Sequence, residues 1–349
     1  MKEKREKKTP CGATHSSALQ DNKVMISNNF LGSAVVWKLN CFFFLSIFFV
    51  SFSDMFAWSD AVVSGGERER FCPSYFTFET NQGKRKFLAT SIRRFWRLYS
   101  VTPSYARHYY ELIRENAPCK MYYDLEFAKR NNPGHTDEDG DAMVDLVVEL
   151  TCEEIFQRFG LKISADAIVE LDSSTEAKFS RHLTIPLPGK RALASNAHAG
   201  AIAAAVVGRI YEKKLGEREE EEEEEEDQRK YSKLLVRGSG EESEEKLVPF
   251  IDLSVYSRNR SFRIFKSSKC GKGVELKPTG RYCGRLEDSK LFLESLICHF
   301  DDSEAALGVV GGAGQILSCD EVLKAAADAQ TFKPLRALGK AKGNTSAPK

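Results

Sequence analysis

Two acidic side chains interrupt an apolar stretch in the first half of the chain. Residues 120–127 (KMYYDLEF) predict a β-strand that contains Asp124 and Glu126. Because successive side chains of a strand point to opposite faces, the two carboxylates share one face, and Tyr123 and Leu125 take the other. Carboxylates that repel each other and lose hydration need a compensating cation, and a divalent metal ion serves best. For this pair alone, two solvent-facing acids on an exposed sheet remain the alternative.

A third carboxylate strengthens the metal interpretation. Residues 248–253 (VPFIDL) predict a second apolar strand with Asp252 inside it. If the two strands are neighbours, three carboxylates converge. Such a cluster holds two Mg²⁺ or Mn²⁺ ions about 3.5–4 Å apart in polymerases and nucleases. One ion lowers the pKa of an attacking hydroxyl, and the other neutralises the leaving phosphates.

Cationic side chains accompany the acids. Lys178, Ser180 and His182 share one face of a predicted strand over residues 178–183 (KFSRHL), which suits an anion such as a triphosphate. Residues 258–272 hold six basic side chains and no acid. A solvated basic face is the alternative for that stretch, and the lack of a GxSxG motif argues against a serine hydrolase. Acids and cations together indicate phosphoryl transfer.

The elements that must position these residues alternate between strand and helix. The periodicity predicts helices at 91–99, 143–159 and 195–215, and a loop at 133–141. It predicts further strands at 75–79, 86–89, 118–127, 179–187, 248–256 and 262–266, with a hairpin turn at 81–83. The pattern is that of an α/β chain.

Charge is segregated along the chain. The 349 residues include 51 Lys and Arg and 50 Asp and Glu, for a net charge of +1. Residues 217–245 contain 14 acids and 5 bases, so the remainder, with 46 bases and 36 acids, is a basic body. A basic body predicts anionic partners, nucleic acid or nucleotides first. None of the nine cysteines forms a CxxC pair, which favours reduced intracellular thiols.

The N-terminal part differs in character from the rest. Residues 39–52 are almost wholly apolar, but they are fewer than the ~20 that a spanning helix needs. Three interpretations stay open: a membrane anchor, a buried helix or strand, or a segment foreign to the catalytic domain. We divide the chain into a non-conforming segment (1–66, disordered then apolar at 39–53), a catalytic domain (67–325, with an acidic insert at 217–245) and a disordered basic tail (326–349).

The order of three blocks resembles a known family. Residues 119–127 (CKMYYDLEF), 171–183 (LDSSTEAKFSRHL) and 250–272 (FIDLSVYSRNRSFRIFKSSKCGK) are similar to motifs I, II and III of the eukaryotic PrimPol branch of the archaeo-eukaryotic primase superfamily. The similarity extends from about residue 76 to about residue 320, apart from the acidic insert.

The resemblance implies a fold and an activity. The fold is α/β, with two modules and an RRM-like catalytic sheet. The activity is DNA-templated primer synthesis and extension with Mn²⁺ or Mg²⁺, in replication restart, translesion synthesis and DNA damage tolerance. The implied partners are a DNA template and primer, dNTPs or NTPs, and a single-stranded-DNA-binding protein. A membrane partner is not expected, and the implied location is the nucleus and mitochondrion.

The resemblance also assigns roles to individual residues. By this likeness Asp124, Glu126 and Asp252 are metal ligands and catalytic residues, and Lys178, Ser180 and His182 bind the triphosphate. Arg260, Arg263 and Lys269 face the incoming nucleotide, and Arg85 contacts nucleotide or template. Ser261 stands where relatives carry Asn.

Two departures limit what the resemblance implies. The family's template-gripping N-terminal segment is replaced here by residues 39–52 and 55–70. No Cys or His follows Asp320, so a C-terminal zinc knuckle and zinc itself are not expected. We therefore expect primer extension more firmly than priming. The alternatives are a polymerase without primase activity, an incomplete, non-catalytic relative that binds single-stranded DNA, and a metal-dependent nuclease.

Overall fold

The computed structural model describes residues 23–24, 35–38, 45–49, 51–62, 73–80, 83–215, 229–238, 247–300 and 315–318. The acidic run at 217–227 and the basic tail at 326–349 lie outside the described residues. The domain boundaries predicted from the sequence stay predictions.

Within those residues the chain alternates between strands and helices. The strands are β1 (Lys23–Val24), β2 (Val35–Lys38), β3 (Leu45–Phe49), β4 (Ser74–Glu79), β5 (Arg85–Thr90), β6 (Tyr109–Ile113), β7 (Met121–Ala128), β8 (Val169–Asp172), β9 (Lys178–Ile185), β10 (Arg191–Leu193), β11 (Leu235–Arg237), β12 (Leu247–Pro249), β13 (Arg260–Arg263), β14 (Lys277–Pro278) and β15 (Gln315–Leu317). The main helices are α1 (Phe52–Val62), α2 (Ile92–Val101), α3 (Asp137–Phe159), α4 (Asn196–Leu215) and α5 (Asp288–Ser295).

Two antiparallel sheets organise the described part of the chain. One has seven strands in the order β1-β2-β3-β5-β4-β6-β13, and the other has four in the order β14-β8-β9-β7. Two small pairs complete the set, β10 with β15 in parallel and β11 with β12 antiparallel. The predicted α/β class is thus confirmed, while the RRM-like character of the catalytic sheet stays a prediction.

The apolar N-terminal segment is part of the larger sheet. Strand β3 pairs with β5 over Phe49↔Phe87, and Phe49 is buried. Helix α1 follows and packs Met55 and Phe56 against that sheet, with the Phe56 ring edge-on to Tyr75 at 5.0 Å. Within this segment the described residues 45–49 form a strand, and Phe49 is buried, which agrees with the buried-strand interpretation; whether the segment is foreign to the catalytic domain stays a prediction. No helix among the described residues is long and apolar enough to cross a membrane.

Helix α3 begins earlier than the sequence pattern predicts. The expected loop at 133–141 is wrong from residue 137 onward, because Thr136 and Asp139 form a capping box. The Thr136 hydroxyl accepts the Asp139 N–H at 3.1 Å, and the Asp139 carboxylate accepts the Thr136 N–H at 3.0 Å. The cap thus gives hydrogen-bond partners to N–H groups at the start of the helix, which have none within the helix itself. Gly160 ends the helix in the left-handed region, as predicted.

Two cores hold the sheets in place. Helices α3 and α4 pack on the face of β7 and β9 that carries Tyr123 and Leu125. A second core joins Phe76 of β4 and Phe95 of α2 to Leu171 of β8 and Phe292 of α5. This second core connects the two sheets, so residues on the facing sides of β7, β9 and β13 are held close together.

Gly140 provides a test of the α3 packing. A Cβ added there would overlap the Phe179 ring, whereas one at Gly208 of α4 meets no atom within 4 Å. We expect Gly140→Ala to lower the free energy of unfolding by about 1–3 kcal/mol, because the helix must shift. The control Gly208→Ala is expected to raise it by about 0.5–1 kcal/mol through helix propensity. Urea denaturation measures both, and equal effects at the two sites would contradict this packing.

Candidate active site

Strands β7 and β9 bring acids and cations into register. Asp124 pairs with His182, Glu126 with Ser180, and Ala128 with Lys178. The His182 Nε2 atom lies 3.7 Å from Asp124 Oδ1, and the Lys178 ammonium forms an ion pair with Glu126. The structure therefore confirms that the two acids share one face of β7 and that Lys178, Ser180 and His182 share one face of β9, and the register brings these two faces together.

Asp252 lies next to the acidic pair, but not on a strand. The predicted strand at 248–256 is wrong beyond Pro249, since Leu253–Tyr256 is a 3-10 turn. The Asp252 carboxylate starts this turn by accepting the N–H of Ser254 at 2.8 Å and its hydroxyl at 3.0 Å. Such local bonds compete with strand pairing, which is why an Asp ends the strand here.

Main-chain bonds nevertheless fix Asp252 against β7. The Asp252 N–H donates to the Asp124 carbonyl at 2.9 Å, and the Glu126 N–H donates to the Phe250 carbonyl at 3.2 Å. The neighbouring Leu125 and Ile251 form an isolated antiparallel bridge. The expected neighbour relation between the two acidic segments is therefore correct, although only a short bridge provides it.

Asp124 is the most perturbed of the three carboxylates. Burial, followed by the negative charges of Glu126 and Asp252, raises the pKa of Asp124 to about 7, against the lowering effect of Lys178 and Lys269. Its Oδ1 atom is buried without a hydrogen-bond partner. Buried oxygens are nearly always paired, so this one suits a cation.

The three carboxylates do not by themselves make a complete metal cage. No group of three or more His, Cys, Asp or Glu side chains in the described part of the chain is arranged to hold a metal ion. Asp124 and Glu126 nevertheless fit a divalent cation, because Mg²⁺ is commonly held by one or two carboxylates together with substrate phosphates and water.

Positive charge faces the acids from both sheets. Burial, followed by the charges of Arg263, Lys269 and Lys178, holds the pKa of His182 well below its usual value. The imidazole is therefore neutral at pH 7 and can donate one N–H. Burial also lowers the pKa of Arg263 and of Lys269, and the Asp124 and Glu126 charges oppose that effect. These residues form one electrostatically coupled group.

Ser173 joins motifs II and III and was not singled out from the sequence. Its hydroxyl accepts Arg263 Nη2 at 2.8 Å and donates to Ser180 Oγ at 3.2 Å. Ser173 lies within the 171–183 block, but only the return of β13 beside the end of β8 shows which serine Arg263 meets. It is a positioning residue for Arg263 and Ser180.

The other predicted site residues have partners of their own. Arg260 donates to the Ser254 carbonyl at 3.3 Å, and the Ser261 hydroxyl pairs with Thr77 at 2.9 Å. Arg85 forms an ion pair with Glu79 at 3.3 Å and lies over the Tyr110 ring. Tyr110 is the β6 partner of Arg263, so Arg85 flanks the site across one strand.

A buried ion network supports β9 from its opposite face. Arg181 lies between Glu170, at 3.4 Å, and Asp141, at 3.0 Å, and it also pairs with Asp172. Its guanidinium covers the Phe179 ring at 4.2 Å. Arg181 was assigned no role from the sequence, because a basic residue beside His182 gives no indication of how many acids surround it.

Comparison with known proteins places this geometry in a family context. No family model matches the chain. The chain is 34% identical over 259 residues to the DNA-directed primase/polymerase protein of Homo sapiens. The aligned region covers 61% of this chain and 44% of that relative. The Danio rerio protein of the same name is 34% identical over 239 residues (62% and 44%), and that of Gallus gallus is 31% identical over 283 residues (65% and 48%).

The chain thus spans somewhat less than half the length of the curated relatives that it matches. The relatives come from several vertebrates and carry one name. The resemblance indicated by the three motifs is confirmed: over about 60% of its length, this chain is similar to vertebrate DNA-directed primase/polymerase proteins.

Proposed function

We propose that this chain is a DNA-directed primase/polymerase that transfers nucleotides from dNTPs or NTPs to a primer 3′-hydroxyl, or to an initiating nucleotide, on a DNA template. The observation that carries the proposal is the pair of carboxylates Asp124 and Glu126 on β7, with the Asp252 main chain bonded beside them, opposite cations from both sheets. Nucleotidyl transfer needs this combination, because a triphosphate brings negative charge that the protein must match.

Asp124 and Glu126 would hold a divalent ion, for which we propose Mn²⁺ or Mg²⁺, with Asp252 beside them. When bound, such an ion neutralises phosphate charge and lowers the pKa of the attacking hydroxyl. Lys178, which pairs with Glu126, would supply an ammonium group to a phosphate oxygen of the substrate.

The cationic side chains have different roles in binding the triphosphate. Lys178 and Lys269 act as flexible point charges, and Arg263 presents a planar donor set whose direction Ser173 fixes. Neutral His182 contributes an N–H donor without adding charge. Charge and hydrogen bonds are thus set before the substrate arrives, which is the condition under which they accelerate a reaction most.

Primer extension tests the proposal. A labelled primer on a DNA template, incubated with dNTPs and Mn²⁺ or Mg²⁺, is expected to lengthen, and EDTA is expected to abolish the reaction. An unprimed template measures initiation separately. If the primer is not extended with either metal ion but the chain still binds DNA in a salt-sensitive way, the binding-only alternative is favoured. Release of mononucleotides from the primer without added dNTP would favour the nuclease.

Ser173→Ala is expected to weaken nucleotide binding during extension. Without its hydroxyl, Arg263 loses an anchor, so the KM for the incoming nucleotide should rise by about tenfold, with a smaller change in kcat. Ser173→Thr keeps the hydroxyl and should retain most of the affinity. Steady-state single-nucleotide incorporation measures both, with the exposed Ser104→Ala as control. An unchanged KM in Ser173→Ala would contradict the positioning role.

The proposed partner protein and location rest only on the family resemblance of the three motifs. We propose a single-stranded-DNA-binding protein as partner, and the nucleus and mitochondrion as location. Pull-down with such a protein and imaging of a fluorescent fusion test these proposals.

A further inference from the structure

A second concave surface lies at the opposite end of β9 from the carboxylates. It is a cavity of about 470 Å³, and its lining shares no residue with the candidate active site. Pro186 is the first residue after β9 that lines the cavity, and it lies four positions beyond His182. In an extended chain this separation is a distance of roughly 13 Å. The cavity is therefore a separate surface of the molecule.

Positive charge dominates this cavity. The cationic lining residues are Lys120, Lys162, Lys190, Arg191 and Lys290, and the carboxylates are Asp166 and Glu294. Five positive charges against two negative ones leave an excess of three on a concave surface. Clefts lined by one sign of charge focus the field and concentrate counter-ions, so this lining favours an anionic ligand.

The two carboxylates are already engaged by groups of the protein. Lys120 is buried, and its ammonium donates to the Glu294 carbonyl at 3.0 Å and lies 4.0 Å from the Glu294 carboxylate. Asp166 accepts the hydroxyl of Ser164. The Glu294 charge is thus paired with Lys120, while Lys162 and Lys290 are exposed side chains whose ammonium groups can reach a ligand.

Arg191 is held in a fixed direction at the cavity edge. Its Nη1 donates to the Pro188 carbonyl and its Nε to the Gln315 side chain, both at 2.9 Å. Arg191 thus joins the short turn after β9 to β15. A guanidinium fixed in this way loses less conformational freedom when it binds a phosphate than a mobile one does.

Apolar side chains form the rest of the lining. They include Val169, Leu187, Pro188, Leu286 and Phe300. Small-molecule sites commonly have volumes of about 300–1,000 Å³ and combine apolar walls with a few charged groups. A nucleobase and sugar suit the apolar part, and phosphates suit the lysines and Arg191.

We propose that this cavity binds a nucleoside 5′-phosphate, supplied either as a free nucleoside triphosphate or as the phosphorylated 5′ end of a nucleic-acid strand. The cations of the cavity hold the phosphates, and its apolar wall holds the base. The inference does not rest on the proposed polymerase activity, because the two sets of residues are separate and the second set has no need of a metal ion.

Calorimetric titration with ATP in EDTA tests this site on the full chain. Lys178→Ala serves as the background, because it removes a cation from the other site. We expect saturable binding that Lys162→Glu/Lys290→Glu weakens at least tenfold. The control Arg93→Glu/Lys233→Glu makes the same change in net charge elsewhere on the surface and should leave binding within twofold of the background. All four positions are exposed, so the fold should tolerate these changes.

Three outcomes would overturn the proposal. They are absence of saturable ATP binding at millimolar concentration, equal affinity in the Lys162→Glu/Lys290→Glu variant, and equal affinity for inorganic triphosphate, which would leave no role for the base. If a 5′-phosphorylated trinucleotide displaces ATP from the cavity and its 5′-hydroxyl form does not, a strand end is the source of the phosphate. Failure of both forms to compete would identify the free nucleotide.

Discussion

Asp124→Asn is expected to reduce metal-dependent primer extension by about 1000-fold or more, which is about 4 kcal/mol of transition-state stabilisation. The substitution keeps the shape of the side chain and removes its negative charge from the centre of the acidic group. Single-turnover incorporation in Mn²⁺ and in Mg²⁺ measures the loss. The exposed Glu149→Gln serves as control and should extend primers at the wild-type rate.

The same substitution is expected to stabilise the metal-free protein at pH 8. The pKa of Asp124 rises from 3.8 to about 7 on folding. Between pH 4 and 7 the folded state therefore binds more protons at this group than the unfolded state, so its ionisation lowers stability as the pH rises through that window. Asparagine avoids this cost, and Asp124→Asn should melt at a higher temperature than the wild type in EDTA at pH 8, with the difference fading towards pH 4.

These two results together distinguish a functional acid from a structural one. Replacing an acid with a purely structural role would lower both the extension rate and the melting temperature. Wild-type extension rates in Asp124→Asn would refute the metal-ligand role, and a lower melting temperature at pH 8 would refute the effect of burial on its pKa. Proteins commonly keep such destabilising groups at their active sites.

Arg181→Met is expected to lower the free energy of unfolding by about 3–5 kcal/mol, because it removes the cation from a buried group of acids. Glu170 is fully buried and would keep Arg281 at 3.0 Å and Thr279 at 2.6 Å, but it would lose Arg181. Asp172 would lose its ion pair, and Phe179 would lose the guanidinium that covers its ring.

Urea denaturation measures this effect, and Lys233→Met is its control. Lys233 and Asp139 form an exposed ion pair at 3.5 Å, and such pairs contribute about 0–1 kcal/mol. A loss below about 1 kcal/mol in Arg181→Met would mean that the network contributes no more than a surface pair.

Much of the fold and of the candidate site could be predicted from local patterns. Strand alternation was enough to place Asp124 with Glu126 on one face of their strand and Lys178 with His182 on one face of theirs, because a strand imposes a period of two on any sequence. The register that brings these two faces together could not be predicted in this way. The hairpin of β4 and β5 followed from turn chemistry: Gly83 adopts a φ of 71°, and its N–H donates to Thr80.

Features that depend on side-chain bonds or on distant partners could not be predicted in this way. The Asp252 carboxylate ends its strand by bonding to Ser254, and the Thr136 cap starts α3 six residues early. Whether Phe49 lies in a membrane, a core or neither depends on its pairing with β5, which hydrophobicity alone does not specify. Ser173 required the position of Arg263, 90 residues away.

The two main-chain bonds that join residues 250 and 252 to β7 also bear on how this chain tolerates insertions. They fix the main chain at residues 250 and 252 against β7, and β11, which pairs with β12, holds the same segment from its other side. The entropy cost of closing a flexible loop grows only with the logarithm of its length, by about 0.6 kcal/mol for each doubling. A change in chain length between residues 216 and 228 is therefore expected to leave the pairing of β11 with β12 and the bonds of residues 250 and 252 intact.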